Sequence, residues 1–252
     1  MLSCMDDSAH DKDHVYRVLY VAMQIATTEC DVNYDVLIAA CLLHDVGRRA
    51  QFHDASLCHA TVGGDMAYRF LIENGFDEQF AKQVKHCIVT HRFRKINPPA
   101  TLEAKILFDA DKLDTVGAIG IARSLQYNGS IGEPLYMLNA DGTVSDGTDD
   151  TASSFFCEYK FKLENVYDRF LTKKGKAMAL ARPRASTDFY NSLLAECSAP
   201  YVDGKSLLKR RILSDNDELT LANHSSCKVI CKLLTFIFFN GTISVLGVPQ
   251  VG

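Results

Sequence analysis

The sequence of 252 residues predicts an all-α protein. Apolar residues recur at steps of three and four, and capping residues precede the apolar segments, both of which are typical of helices. No stretch before residue 130 shows the alternation of apolar and polar side chains that marks a half-buried strand. We therefore expect one helical domain over residues 8–196, followed over residues 197–252 by a tail of different composition.

The first two helices lie before Gly47. Residues 13–30 place apolar side chains at helical spacing, namely Val15, Val18, Leu19, Ala22, Ile25 and Ala26. Asn33 is a start signal for a second, strongly apolar helix, which continues to the pair His44-Asp45 and stops at Gly47. The glycine is interpreted here as the usual residue just past a helix end.

Three further helices follow before residue 128. The pattern predicts helices over residues 59–73 and 77–91, and the segment 97–99, Asn-Pro-Pro, then breaks the chain. Residues 101–127 predict one long helix with Thr101 as its N-cap.

The next segments are less regular. Residues 128–153 are rich in Gly, Asp, Ser and Thr and predict a loop. Residues 155–196 return to helical periodicity, with the Lys-Lys-Gly-Lys sequence at 173–176 as a predicted break. The apolar run over residues 229–248 is about as long as a bilayer span, but its polar residues weaken a membrane helix and a β-hairpin is equally compatible. We therefore expect no membrane association.

Charge and cysteine content narrow the classes of function. The net charge of −4 argues against broad nucleic-acid binding, which shows a basic excess. The nine cysteines are scattered without a CxxC pair, which favours reduced thiols. With no secretory leader visible at the N-terminus, we expect a cytoplasmic protein.

The pair His44-Asp45 is the first candidate for chemistry. It ends an apolar segment, and burial of two ionisable side chains there costs several kcal/mol unless something pairs with them. A divalent metal ion suits both imidazole and carboxylate, whereas the alternative is a histidine at a helix end beside a capping aspartate. His14 upstream and Asp111 downstream are ligand types that would extend such a site.

Three aspartates crowd the segment around Asp111. Aspartate is a poor helix former and is rarely buried without a partner, so at least one of them is expected to face a cation. Asp111 and Asp114 share a helix face, whereas Asp109 points elsewhere. The alternative is that all three are solvated on an amphipathic face.

Basic residues and two more histidines accompany these candidates. Arg17, on the helix face of His14, and Lys112, beside Asp111, suit a phosphate substrate, although each alone is also an ordinary surface charge. His59 and His91 are candidate general acids or bases, with a core or capping histidine as the alternative for each.

Several blocks together resemble the HD superfamily of metal-dependent phosphohydrolases, and in particular the bacterial-type HD-domain nucleoside triphosphate pyrophosphohydrolases. The resemblance runs from about residue 8 to about residue 196. The matching blocks are His10-Asp11 with His14 to Val18, Leu43 to Arg48, His59 with Gly63 and Ala67, Ile88 to Phe93, Ala104 to Asp114, and Gly117 to Arg123.

The resemblance implies an all-helical domain that binds one divalent ion, often manganese, with magnesium, nickel, cobalt or iron as alternatives. The ligands it implies are His14, His44, Asp45 and Asp111, since the aspartate directly before the lysine coordinates in similar triphosphohydrolases. His59 is similar to a histidine near the phosphates in that relative. Two departures are a histidine missing from the segment 154–159 and a tail without a counterpart.

The expected activity is therefore metal-dependent hydrolysis of (deoxy)nucleoside triphosphates with release of pyrophosphate. Asp45 would orient or deprotonate the attacking water, His59 or His91 would handle the leaving-group proton, and basic side chains would hold the substrate, namely Arg17, Arg48 and Lys112. The alternatives are a phosphatase or phosphodiesterase acting on another phosphate ester, and a non-catalytic nucleotide-sensing module.

Overall fold

The computed structural model describes the backbone of residues 12–92 and 97–217, with side chains as far as Arg211. Within these ranges no strand occurs, and Leu138 and Val144 form only an isolated bridge. The prediction of an all-α protein is confirmed. The α-helices are α1 (Lys12–Ala26), α2 (Tyr34–Leu43), α3 (Arg48–His53), α4 (His59–Glu73), α5 (Glu78–Thr90), α6 (Leu102–Leu113), α7 (Gly117–Ser130), α8 (Phe155–Glu158), α9 (Lys173–Leu180), α10 (Pro183–Ala199) and α11 (Lys205–Asp217).

The core forms around α2, which contacts α1, α5 and α6. The Asn33 side chain caps this helix by accepting a hydrogen bond from the Val36 backbone N–H, as the sequence predicts. Apolar residues along α2 are buried, namely Val36, Leu37, Ala40 and Cys41. Because α2 is enclosed by its neighbours, the residues that follow its last turn emerge inside the protein rather than at its surface.

Gly47 has a different role from the predicted one. It does not adopt the left-handed backbone of a C-terminal cap, since its φ is −83°, and it immediately precedes α3, a helix that the sequence pattern did not predict. A Cβ atom at Gly47 would overlap the His59 carbonyl oxygen and lie 2.6 Å from the Gly63 nitrogen. The glycine therefore allows the backbone of α4 to approach closely, which brings His59 next to the end of α2.

The predicted single helix over residues 101–127 is wrong, because α6 ends at Leu113 and α7 begins at Gly117. Gly117 has a positive φ of 68°, which interrupts helical geometry. Arg182 Nη1 donates to the Leu113 carbonyl oxygen at 2.6 Å and so satisfies one acceptor at the end of α6.

The predicted break at 173–176 is also wrong, because Lys173 begins α9. Thr172 caps that helix by accepting a hydrogen bond from the Gly175 backbone N–H at 3.0 Å. A Cβ atom at Gly175 would lie 2.5 Å from Asp109 Oδ2, so the glycine serves a close contact with α6 instead of a chain break.

Two smaller differences lie at other helix ends. The first helix stops at Ala26 rather than at residue 30, since the hydroxyls of Thr27 and Thr28 bond to backbone carbonyls of its last turn. Residues 155–196 are helical in several pieces, with a π-helical turn at Tyr159–Leu163 and a 3-10 turn at Tyr167–Arg169 between α8 and α9.

The chain divides into two compact units between Ala195 and Glu196. The described part of the second unit contains the end of α10, a π-helical turn at Pro200–Gly204, and α11. No helix in the described ranges has the length and apolarity needed to cross a membrane. The apolar run 229–248 and the motif residues His10, Asp11 and Phe93 lie outside the described residues. The boundaries 8–196 and 197–252 stay a prediction.

Candidate metal centre

The four predicted metal ligands meet at one buried point. His14 comes from α1, His44 and Asp45 follow α2, and Asp111 lies in the last turn of α6. The His14 Nε2 atom lies 3.3 Å from His44 Nε2, 3.4 Å from Asp111 Oδ1 and 3.5 Å from Asp45 Oδ2. His44 Nε2 lies 3.6 Å from Asp45 Oδ2 and 4.0 Å from Asp111 Oδ1. The tertiary structure thus gathers side chains separated by up to 97 residues in sequence.

Hydrogen bonds on the outer side of each ring orient the two histidines. His44 Nδ1 donates to the Cys41 carbonyl oxygen at 2.8 Å, and His14 Nδ1 donates to Asp114 Oδ2 at 2.8 Å. Because each acceptor is an oxygen, both Nδ1 atoms carry a proton and both Nε2 atoms face the centre. This is the arrangement in which histidine binds a cation through Nε2.

Asp45 provides the observation that tests whether a cation fits. Its Oδ2 atom is buried and has no hydrogen-bond partner among the described residues, although it faces His14 and His44. An unsatisfied buried carboxylate oxygen costs several kcal/mol, and a divalent ion at this point would satisfy it. His14, His44 and Asp45 have their ligand atoms close enough together to hold a metal ion.

The charges of the centre are consistent with that fit. Burial would lower the pKa of His14, but the neighbouring carboxylates of Asp111, Asp114 and Asp45 raise it to about 10. Burial opposes ionisation of Asp111, yet His14 holds the pKa of that carboxyl well below its usual range. Without an ion, a proton on His14 therefore balances the neighbouring carboxylates, and a divalent cation would take over that role.

His59 and His91 lie on the other side of Asp45. Their Nε2 atoms lie 3.3 Å apart and 3.6 and 3.8 Å from Asp45 Oδ1. His59 Nδ1 donates to Gln51 Oε1 at 2.6 Å, and His91 Nδ1 donates to the Ile88 carbonyl oxygen at 2.5 Å. With Asp45 they form a second group of residues whose ligand atoms are close enough to hold a metal ion.

Both of these histidines are neutral near pH 7. Burial, followed by the nearby Arg48 charge, lowers the pKa of His59 to about 2. Burial, followed by the nearby His44, lowers the pKa of His91 to about 4. Their Nε2 lone pairs therefore remain available to accept a proton or to bind a cation.

The three predicted substrate-binding cations occupy different positions. Arg48 Nε donates to Asp45 Oδ1 at 2.9 Å, at the centre itself. Arg17 Nε and Nη2 donate to the Asp114 carboxylate at 3.0 and 2.9 Å, one residue removed from the proposed ligands. Lys112 places Nζ 4.8 Å from the centroid of the Phe108 ring. Their roles in substrate binding stay predictions.

Three contacts at the centre were missed by sequence reasoning. Asp114 and Gln51 orient His14 and His59, and Arg92 Nη1 lies 3.5 Å from both Gln51 Oε1 and His59 Nδ1. The shared face of Asp111 and Asp114 was a signal that pointed to Asp114. No sequence pattern pointed to Gln51, because its side chain contacts His59 only once α3 packs against α4.

Comparison with known proteins identifies relatives of this chain. Residues 12–116 match the family model described as the HD domain. The chain is 28% identical over 205 residues to the uncharacterized protein YpgQ of Bacillus subtilis, covering 79% of this chain and 89% of YpgQ.

Solved structures share the fold as well. The crystal structure of B. subtilis YpgQ in complex with ADP matches with 27% identity and a TM-score of 0.57, over 75% of this chain and 90% of that one. A predicted HD superfamily hydrolase from an uncultured Thermotogales bacterium matches with 30% identity and a TM-score of 0.51, over 76% and 83%. With its helical fold and its buried cluster of histidines and aspartates, this chain belongs to the HD-domain superfamily of phosphohydrolases.

Proposed function

We propose that this enzyme hydrolyses a phosphoanhydride bond of a nucleotide with the help of one divalent ion held by His14, His44, Asp45 and Asp111. The buried Asp45 Oδ2 atom carries the proposal, since it faces two histidine Nε2 atoms and has no hydrogen-bond partner in the part of the chain that the structure describes. Imidazole and carboxylate ligands together suit a divalent ion. We propose manganese because the resemblance to HD phosphohydrolases implies it, with magnesium, nickel, cobalt and iron as the alternatives. When bound, the ion would neutralise phosphate charge and lower the pKa of a water molecule.

The residues around the centre would activate the water, transfer the proton to the leaving group and bind the phosphate. Asp45 faces the centre with Oδ2 and orients or deprotonates the attacking water. His59 and His91 are neutral at pH 7, so either would first take up at Nε2 the proton released by the attacking water and then pass that proton to the leaving group. Arg48 lies directly beside Asp45 and is the cation best placed to contact a phosphate oxygen.

Positive charge beyond the centre supports a substrate with several phosphates. Burial lowers the pKa of Lys112, and the charges of Arg169 and Lys162 lower it further. The Asp111 carboxylate acts in the opposite direction and raises it. A metal site accompanied by Lys112 and Arg17 suits a chain of phosphates better than a single one, because one phosphate oxygen can bind the ion while others contact the cations. YpgQ has been crystallised with ADP. We propose (deoxy)nucleoside triphosphates as substrates and pyrophosphate as the product.

Product analysis tests this proposal. Purified protein is incubated with Mn²⁺ and a panel of nucleoside mono-, di- and triphosphates, and the released pyrophosphate, phosphate and triphosphate are separated. Reaction in oxygen-18 water locates the attack, because label in the nucleoside monophosphate means attack at the α-phosphorus. Activity on monophosphates alone, or on no nucleotide with any of the five metals, contradicts the proposal.

The second histidine group favours one further candidate function. His59, His91 and the shared Asp45 offer ligands for a second ion, the arrangement that a two-metal phosphodiesterase or phosphatase needs. Metal analysis separates the two functions, since one ion per chain supports the pyrophosphohydrolase and two ions support the alternative. Bound nucleotide without turnover would instead indicate a nucleotide-sensing module.

The expected partners follow from the same site. We propose a small phosphorylated substrate, no broad binding of nucleic acid, no membrane association and a cytoplasmic location. The net charge of −4 supports the absence of broad nucleic-acid binding. The described cysteines are free thiols, which is compatible with a cytoplasmic location.

A further inference from the structure

Asp114 contacts a proposed metal ligand, His14, and two arginines, although it is not itself one of the proposed ligands. Its carboxylate is buried at the end of α6, with 6% of the residue exposed. Oδ2 accepts a hydrogen bond from His14 Nδ1 at 2.8 Å. Arg17 donates to both oxygens, and Arg123 Nη1 lies 3.2 Å from Oδ2. Helices α1, α6 and α7 therefore converge on one carboxylate.

We infer that Asp114 is a positioning residue for the metal centre, which holds His14 in the tautomer and orientation that present Nε2 to the ion. The inference rests on the proposed function. The Nδ1–H proton is fixed on the side of Asp114, so the Nε2 atom faces Asp45 and Asp111 at 3.5 and 3.4 Å. Carboxylates that bind the outer nitrogen of a ligating histidine have this effect in metal sites generally, and their loss weakens metal binding.

The two arginines serve the carboxylate in this arrangement. The planar guanidinium of Arg17 forms a two-pronged contact with Asp114, which prevents rotation of the carboxyl group. Arg123 Nη1 also donates to the Asp114 backbone oxygen at 3.1 Å and fixes the residue from the side of α7. Asp114 is thus held from two directions while its Oδ2 atom receives the proton of His14.

A simpler role must be separated from this one. The Arg17–Asp114 pair joins α1 to α6, so Asp114 would also be needed if it were only a structural link between the two helices, which we call a helix staple. A helix staple affects the stability of the fold, whereas a positioning residue affects the affinity for the ion.

Metal titration of the full chain without nucleotide distinguishes the two roles. Mn²⁺ dissociation constants and thermal midpoints are measured for wild type, Asp114→Asn and Asp109→Asn. Asparagine keeps the shape of the side chain but has only one acceptor oxygen, so it cannot accept hydrogen bonds from His14 and from both arginines at once. We therefore expect Mn²⁺ binding to weaken roughly 10- to 100-fold. Asp109 is also buried and lies in α6, but it bonds to the start of α9, so Asp109→Asn should keep the Mn²⁺ affinity within about twofold while it loses stability.

Two further measurements make the test decisive. Arg17→Leu removes one side of the helix staple and leaves the His14–Asp114 hydrogen bond, so it should weaken Mn²⁺ less than Asp114→Asn does. In wild type loaded with diamagnetic Zn²⁺, nitrogen NMR of the histidine rings should show His14 protonated at Nδ1 and bound at Nε2. This second measurement does not depend on a variant that folds.

The contrary results are equally clear. Wild-type affinity in a destabilised Asp114→Asn variant, or an Arg17→Leu variant that loses as much affinity as Asp114→Asn, reduces Asp114 to a staple. A His14 ring bound through Nδ1 overturns the inference as well. If wild type binds no divalent ion, both the inference and the proposed function fail, whereas binding without hydrolysis leaves the inference standing and overturns the function alone.

Discussion

Two aspartates on α6, only two residues apart, show how the same side chain serves opposite purposes. Asp109 is fully buried and accepts hydrogen bonds from the Leu171 N–H at 2.8 Å and from the Thr172 N–H and hydroxyl at 2.7 Å. Asp111 faces the Nε2 atoms of His14 and His44 at 3.4 and 4.0 Å. The oxygens of Asp109 are satisfied by donors that belong to the fold. Those of Asp111 face nitrogen atoms that a cation can share.

The electrostatics of the two residues differ accordingly. Burial raises the pKa of Asp109, although the hydrogen bonds from the α9 cap act against that rise. Burial raises the pKa of Asp111, but His14, His44 and His91 together outweigh that effect and hold the pKa well below its usual range. We conclude that a buried carboxylate saturated by backbone donors stabilises the fold, and that one facing histidine nitrogens is a candidate for ion binding.

The largest expected effect is that of Asp111→Ala. Loss of a ligand should abolish stoichiometric Mn²⁺ binding and reduce hydrolysis by more than about 100-fold, since loss of a mere outer-shell partner costs 10- to 100-fold. Metal content by mass spectrometry and steady-state rates check it, with Asp109→Ala as the control that loses much less metal. Equal metal content in wild type and Asp111→Ala would refute the ligand assignment.

Asp109→Ala should instead unfold the protein more easily. The substitution leaves two backbone N–H groups and the Thr172 hydroxyl without their acceptor, which costs about 3 kcal/mol in the free energy of unfolding. Denaturant titration of the metal-free protein measures this loss. A stability equal to that of wild type would mean that the start of α9 does not depend on Asp109.

The glycines at the two regions allow a matched pair of substitutions. Gly175→Ala places a Cβ atom 2.5 Å from Asp109 Oδ2 and should destabilise the fold by about 1–3 kcal/mol without loss of Mn²⁺ affinity. Gly47→Ala forces the backbone of α4 away at His59 and should lower the turnover number as well. Turnover unchanged in a folded Gly47→Ala variant would argue against a role for His59.

The smallest expected effect is a pH dependence of the stability of the metal-free protein. The pKa of His59 is lowered to about 2 and that of His91 to about 4, so only the unfolded chain takes up these protons as pH falls from 6.5 toward 4. Stability should therefore fall in that window, by about 1–2 kcal/mol per histidine between pH 6.5 and 5.

His14 contributes a pH dependence of stability with the opposite sign. Its pKa is raised to about 10, so its contribution to stability is complete below pH 6.5 and is lost as pH rises toward 10. Thermal midpoints of the metal-free protein from pH 5 to 10 should accordingly pass through a maximum near pH 6.5. A midpoint that rises steadily on acidification would show that His59 and His91 are protonated in the folded state.

Much of the fold could be predicted from local patterns. The helices α4 and α5 lie within one residue of their predicted ends, and Asn33 and Thr101 cap helices as expected. These features depend on residues three or four positions apart, which is the range over which helical periodicity and capping act. The predicted end of α6 and the predicted break at the start of α9 were wrong, because Gly117, Gly175 and Asp109 pack against residues more than 60 positions away in sequence.

The sequence by itself determined the helical class, the positions of most helices, and a set of histidines and aspartates in the order of the HD superfamily. Only the tertiary structure decided which carboxylate of α6 meets which partner, since His14 and Asp114 are 100 residues apart and Asp109 and Thr172 are 63 apart. The spacing places Asp111 and Asp114 on one face, but it contains no information about the nitrogen or the backbone N–H that faces them. Those partners are set by the packing of α1 and α9 against α6, where each buried oxygen must find a donor or a cation.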